Sequence, residues 1–159
     1  PLLLNTSYTV TADIEVPQGG AEGMILTSGG RFAGYGFYLL KGKPVFLWNL
    51  AGLERIKWEG PEAIAPGRHT VEFDFKYDGP GFGKGGTGEL FVDGKSAAKK
   101  KLEHTTPIMF PEDEDFDVGQ DTRTGVAMIE YRYDSPFKFT GKIDKLTFEL
   151  GEGQARAKQ

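Results

Sequence analysis

Asp113, Asp115 and Asp117 occupy alternate positions of the acidic run 112–117, and Asp121 follows. That spacing opens like an EF-hand calcium loop, in which alternating oxygens wrap a hard cation. The loop does not continue, because Val118 stands where the turn needs glycine and Thr124 where a bidentate Glu is needed. What is left is an irregular calcium site of Asp113, Asp115, Asp117 and Asp121 at a sheet rim, weighed against a solvated acidic loop. The solvated loop is the simpler reading. No cofactor is therefore expected, with calcium the one candidate the tract admits. The same run lacks the Glu-x-Asp-x-Glu order of a sandwich-fold glycosidase, since Glu112, Glu114 and Phe116 fall on those positions. His69 and His104 have no Ser and acid partners nearby in sequence, so a nucleophilic triad is unsupported. Residues 79–84 do not form a phosphate loop: Asp78 stands in place of the first glycine and Gly85 in place of the final Ser or Thr. They read as a hairpin loop with Phe82 at its tip. The run Lys99, Lys100 and Lys101 reads as an edge strand guarded against pairing, ahead of a site for an anionic polymer.

The remaining candidates lie in residues 34–59. Two short glycine turns, Lys41-Gly42 and Ala51-Gly52, divide this segment into three apolar runs, which predicts a three-stranded meander. Two-residue hairpins pair Tyr35 with Trp48 and Phe37 with Phe46, then Trp48 with Arg55 and Phe46 with Lys57. One face then carries Tyr35, Phe37, Leu39, Phe46, Trp48, Arg55 and Lys57, and the other, a plain core face, carries Tyr38, Leu40, Val45, Leu47, Ile56 and Trp58. Rings shading into two cations line a core poorly but suit a sugar or a partner surface. Tyr35, Phe37, Phe46 and Trp48 are accordingly expected to stack on a ligand, with Arg55 and Lys57 pairing with its anionic groups. A slip of one residue in either strand swaps its faces.

Strands must position these residues. Tyr8, Val10, Ala12, Ile14 and Val16 alternate with polar residues, as do Val71, Phe73, Phe75 and Tyr77, and Leu146, Phe148 and Leu150 point inward on a last strand. Residues 24–28 and 89–92 are shorter strands, Asp93-Gly94 is a hairpin turn, and 126–133 is an edge-strand candidate. The 23 glycines and 13% aromatics fit many short strands closed by glycine turns. The fold class is all-β, a two-sheet antiparallel sandwich, with one domain over 1–150 and a disordered polar tail over 151–159. Cysteine is absent, which excludes a disulfide framework, thiolate zinc and a cysteine nucleophile. A net charge of -4 gives no field that would draw nucleic acid. No apolar run approaches the roughly 20 residues that cross a bilayer, so no membrane partner is expected. The chain opens on Pro1, as a fragment of something longer would.

Four segments in order, HTVEFDFKYDG (69–79), GTGELFVDGK (86–95), FDVGQDT (116–122) and FTGKIDKL (139–146), resemble the laminin-G and concanavalin A-like jelly rolls. With Gly23, Gly29-Gly30-Arg31-Phe32 and Gly52-Leu53-Glu54-Arg55, the set is similar to the C-terminal domain of large bacterial arylsulfatases. The resemblance implies a jelly roll whose partner is a catalytic sulfatase domain, in the periplasm or outside the cell. It does not imply catalysis. The sulfatase nucleophile needs Cys or Ser followed by x-Pro-x-Arg, and neither Ser28 nor Ser135 begins such a run. The expected role is a non-catalytic accessory domain, packing on or assisting the sulfatase domain; the alternative is a lectin-like module for sulfated or neutral glycans.

Overall fold

The computed structural model describes residues 6–29, 34–50, 54–81, 83–104, 116–120 and 137–151. Strand β1 (Tyr8–Val16) shows the link from pattern to layer: burial alternates residue by residue, with Tyr8, Val10, Ala12, Ile14 and Val16 sealed. Nine further strands follow among the described residues: β2 (Gly23–Gly29), β3 (Gly34–Leu40), β4 (Lys43–Leu50), β5 (Glu54–Glu59), β6 (Gly67–Tyr77), β7 (Gly86–Val92), β8 (Lys95–Leu102), β9 (Phe116–Val118) and β10 (Lys142–Leu150). They form two five-stranded antiparallel sheets, β10-β1-β6-β7-β8 and β5-β4-β3-β2-β9. The all-β sandwich expected from the alternation is the observed fold. The edge-strand candidate at 126–133 and the tail beyond Gly151 lie outside the described residues.

Two hairpins have the turn their sequences predict. Lys41 and Gly42 have φ of 52° and 78°, and Asp93 and Gly94 have φ of 50° and 78°. Successive positive φ values match the right-handed twist of the flanking strands; Asp93 followed by glycine reaches them at low cost, while Lys41 adopts a left-handed conformation that a lysine takes less readily. The first hairpin therefore pairs as predicted, Tyr35 with Trp48 and Phe37 with Phe46.

The second does not. Leu50 pairs with Glu54, Trp48 with Ile56 and Phe46 with Trp58, so the β4–β5 connection is one residue longer than a two-residue turn. The slip turns β5 over. Ile56 and Trp58 face the other sheet, while Arg55 and Lys57 face away. An extra loop residue costs about 0.4 kcal/mol of closure entropy. Burying one large apolar side chain returns about 1.5–3 kcal/mol, and the predicted register would have buried two cations instead. Burial decides the register.

The core between the sheets is built on aromatic contacts that cross it. Phe46 of β4 and Phe73 of β6 stack with centroids 3.7 Å apart and planes 6° from parallel. Trp58 meets Phe73 edge-on at 4.9 Å and Phe46 at 6.2 Å. Its Nε1 donates to the Gly88 carbonyl of β7 at 3.0 Å, so a sheet-edge indole is tied to the opposite layer. Gly88 makes room for that ring: a Cβ there would lie 2.6 Å from Trp58 Cζ2 and 2.8 Å from Phe73 Cζ. The outer face of β2, β3 and β4 is also apolar, with Met24, Tyr38, Val45 and Leu47 buried beneath Phe137.

Gly88→Ala is expected to destabilise the fold by about 1–3 kcal/mol through overpacking. A urea midpoint that falls with an unchanged m-value checks it; an unchanged midpoint means the indole yields freely and the contact is not tight.

Candidate functional site

The expected aromatic platform is not a surface. Tyr35, Phe37, Phe46 and Trp48 are 4%, 0%, 0% and 7% exposed and lie between the sheets. Trp48 stacks on Tyr35 at 5.7 Å and on Tyr8 of the opposite sheet at 6.4 Å. That enclosure pushes the Tyr8 phenol well above its usual pKa, with the neighbouring Tyr35 adding to the effect. The physical reason is that two sheets pack about 10 Å apart through their apolar faces, and these rings form the apolar face of β3 and β4. Arg55 and Lys57 are carried to the other side by the β5 register, where Lys57 pairs with Glu59 at 3.4 Å. The structure does not bring the four rings and two cations together.

The calcium candidates fare differently. Asp117 lies in β9, and Asp113, Asp115 and Asp121 lie outside the described residues. Among the described residues no group of three or more His, Asp or Glu side chains is placed to hold a metal.

The solvent face of β1 and β6 carries the polar chemistry. Directly paired residues form a ladder of side-chain bonds: Thr9 Oγ1 donates to Asp74 at 2.8 Å, Thr11 Oγ1 to Glu72 at 3.4 Å, Thr70 Oγ1 to Asp13 at 2.8 Å and Arg68 Nε to Glu15 at 2.8 Å. Its start is the polar half of the β1 alternation. At the Arg68 end of these strands lies a cleft of about 480 Å³, lined by Asp13, Ile14, Arg68, His69, Thr70, Asp93 and Asp144 and so drawing on residues of both sheet faces. Residues from β1, β6, the β7–β8 turn and β10 meet there.

Each wall of the cleft is braced. Asp93 accepts from the Thr70 amide at 2.9 Å and meets His69 Nδ1 at 2.6 Å, while His69 Nε2 meets the Ala65 carbonyl at 2.7 Å. Both partners of the imidazole accept, so the doubly protonated ring satisfies both and a neutral ring only one. The hydrogen bond to Asp93 accordingly holds His69 above its ordinary pKa, and the same bond holds Asp93 below its own. Lys142 joins Asp144 at 3.3 Å to Glu15 at 3.5 Å. The Asp144 bond, then Glu15, raise the Lys142 pKa.

This arrangement binds more readily than it reacts. A His next to an Asp is two-thirds of a triad, but Nε2, the nitrogen that would serve a nucleophile, is taken by a backbone carbonyl. The Thr70 hydroxyl is committed to Asp13. Sequence reasoning singled out His69 and the Asp93-Gly94 turn separately and missed Asp13, Arg68, Thr70 and Asp144. Their signal was the regular polar half of each alternation, which also describes any wet sheet face. Only the registers of β1 with β6 and with β10 gather them.

No protein-family model and no curated protein matches the sequence. Solved structures do. A Ruminococcus gnavus sialidase CBM40 bound to α2,3-sialyllactose superposes with a TM-score of 0.66 at 15% identity, over 97% of this chain and 82% of that one. The mouse laminin alpha1 chain, domains LG4-5, gives 0.62 at 15% identity, over 96% of this chain and 38% of that one. The native heptameric SAP-like pentraxin from Limulus polyphemus gives 0.51 at 12% identity, over 91% and 65%. The likeness is one of fold. It supports the laminin-G-like jelly roll, and it gives no support to a sulfatase parent.

Stability should follow the His69–Asp93 contact across pH. A raised His69 pKa means its stabilisation is complete below about pH 6.5 and is lost as pH rises through the folded value. A lowered Asp93 pKa means its share is present above about pH 4 and is lost on acidification. Melting temperature is expected to fall as pH rises above about 6.5 through the folded pKa of His69, and His69→Gln should flatten that limb. An identical slope in wild type and variant would remove His69 as its cause.

Proposed function

We propose that this domain is a non-catalytic carbohydrate-binding module and that the His69–Asp93 cleft is its binding site. The observation that carries the reading is the braced polar cleft itself. Its hydrogen-bonding groups are already fixed by neighbours, so a ligand loses little entropy in ordering them. Its volume of about 480 Å³ falls within the roughly 300–1,000 Å³ of small-ligand sites. Ile14 is the one apolar residue among its lining, which suits a hydroxyl-rich ligand better than a flat apolar one. The fold adds support, since a carbohydrate-binding module bound to sialyllactose is among its structural neighbours.

A role as an accessory domain packed on a sulfatase catalytic domain has less behind it. The aromatic face that was to make that contact is enclosed, and Val118, 49% exposed, is the large apolar side chain left outside among the described residues. A packing surface of that kind needs a contiguous apolar patch of several hundred Å².

Recognition by hydrogen bonds in an open cleft should be weak, with Kd of roughly 0.1–1 mM. Titration with an oligosaccharide panel, followed by amide chemical shifts, is expected to move Thr70, Asp93 and Asp144 together. Silence across neutral, sialylated and sulfated glycans would overturn the assignment, as would shifts confined to another face.

A further inference from the structure

We infer that the cleft selects an uncharged saccharide, held through its hydroxyl donors, over a glycan that presents a carboxylate or sulfate. This rests on the carbohydrate reading above and narrows it. The cleft is lined by three carboxylates, Asp13, Asp93 and Asp144, against the guanidinium of Arg68 and the imidazole of His69. An ionised carboxylate offers about four acceptor positions. Asp13 is met by the Thr70 hydroxyl, Asp93 by His69 and the Thr70 amide, and Asp144 by Lys142. Each therefore keeps acceptor capacity for a ligand.

The donors are fewer, and several are spent, although the four terminal N–H groups of the Arg68 fork remain open. Both His69 nitrogens face protein acceptors, and the Thr70 amide and hydroxyl are both used. Arg68 is bound through Nε to Glu15, and Lys142 lies between Glu15 and Asp144. Lys145 stands opposite Asp13 in the register and Lys95 acts on Asp93 from the start of β8, but neither is part of the cleft lining. A surplus of acceptors calls for a ligand rich in donors. Sugar hydroxyls donate to the carboxylates and can accept from the open tips of the Arg68 fork. An anionic substituent would instead give up its water beside three carboxylates and draw on a guanidinium whose charge is already shared with Glu15. Specificity of this kind comes from repulsion of the wrong ligand as much as from attraction of the right one.

The test is calorimetric titration of the whole chain with neutral oligosaccharides and their sialylated or sulfated counterparts, lactose and α2,3-sialyllactose among them. Wild type, Asp13→Asn, Asp144→Asn and Arg68→Ala are compared, each first shown to be folded by its melting curve. Neutral members are expected to bind about tenfold or more tightly than their acidic counterparts at low salt, with each Asp→Asn change weakening them about threefold to tenfold. Preferential binding of the acidic members, lost in Arg68→Ala, would overturn this inference and leave the carbohydrate reading standing. Neutral binding unaffected by both Asp→Asn changes would place the sugar elsewhere and overturn it too. Silence from every glycan would sink the carbohydrate reading itself.

Discussion

The packing of the two layers turns on a bridging contact, the Trp58 indole seated over Gly88 with Phe46 and Phe73 stacked beside it. Its constraint is geometric before it is energetic. The ring can reach the opposite sheet only because β7 presents no side chain at residue 88, and its N–H can be buried only because the Gly88 carbonyl accepts it. From that contact follow the facing of β5 and the relegation of Arg55 and Lys57 to the outside. An expectation built on turn length alone met a larger force.

With the apolar faces turned inward, the outward faces divide unequally. The sheet holding β2, β3 and β4 buries residues on both sides, so its strands read as nearly continuous apolar runs. The sheet holding β1 and β6 is wet on one side, and those two strands alternate between buried and wet positions. Side chains on that wet side are ordered by one another, through paired rungs from Thr9 and Asp74 to Arg68 and Glu15. Ion pairs at such exposure contribute little to stability. Their effect is positional, since they fix the rotamers that line the cleft.

How much of this could be read from the sequence depended on how local the controlling interaction was. The β1 alternation, the Lys41-Gly42 and Asp93-Gly94 turns and the inward residues of β10 are decided within a few residues, and all were legible. The register of β5 is decided by Trp58 finding a gap thirty residues away, and it was not. The aromatic platform failed for the same reason: rings beside cations look like a ligand face until a second sheet covers the rings. The cleft was invisible because its residues come from three strands and a turn. His69 and Asp93 are 24 residues apart, and nothing in their spacing announces a contact.

The pairing of β1 sets an order in time. The meander closes through short hairpins, such as Leu40 beside Lys43, whereas Asp13 meets Thr70 across 57 residues and Tyr8 meets Leu150 at the far end of the chain. Long loops must surrender their entropy before such contacts repay it. On a ribosome, β10 emerges last and the first strand must wait for it unpartnered on that edge. The meander can therefore pair its strands early, while the sheet that covers its rings and offers a pocket to the outside world is the last to be finished.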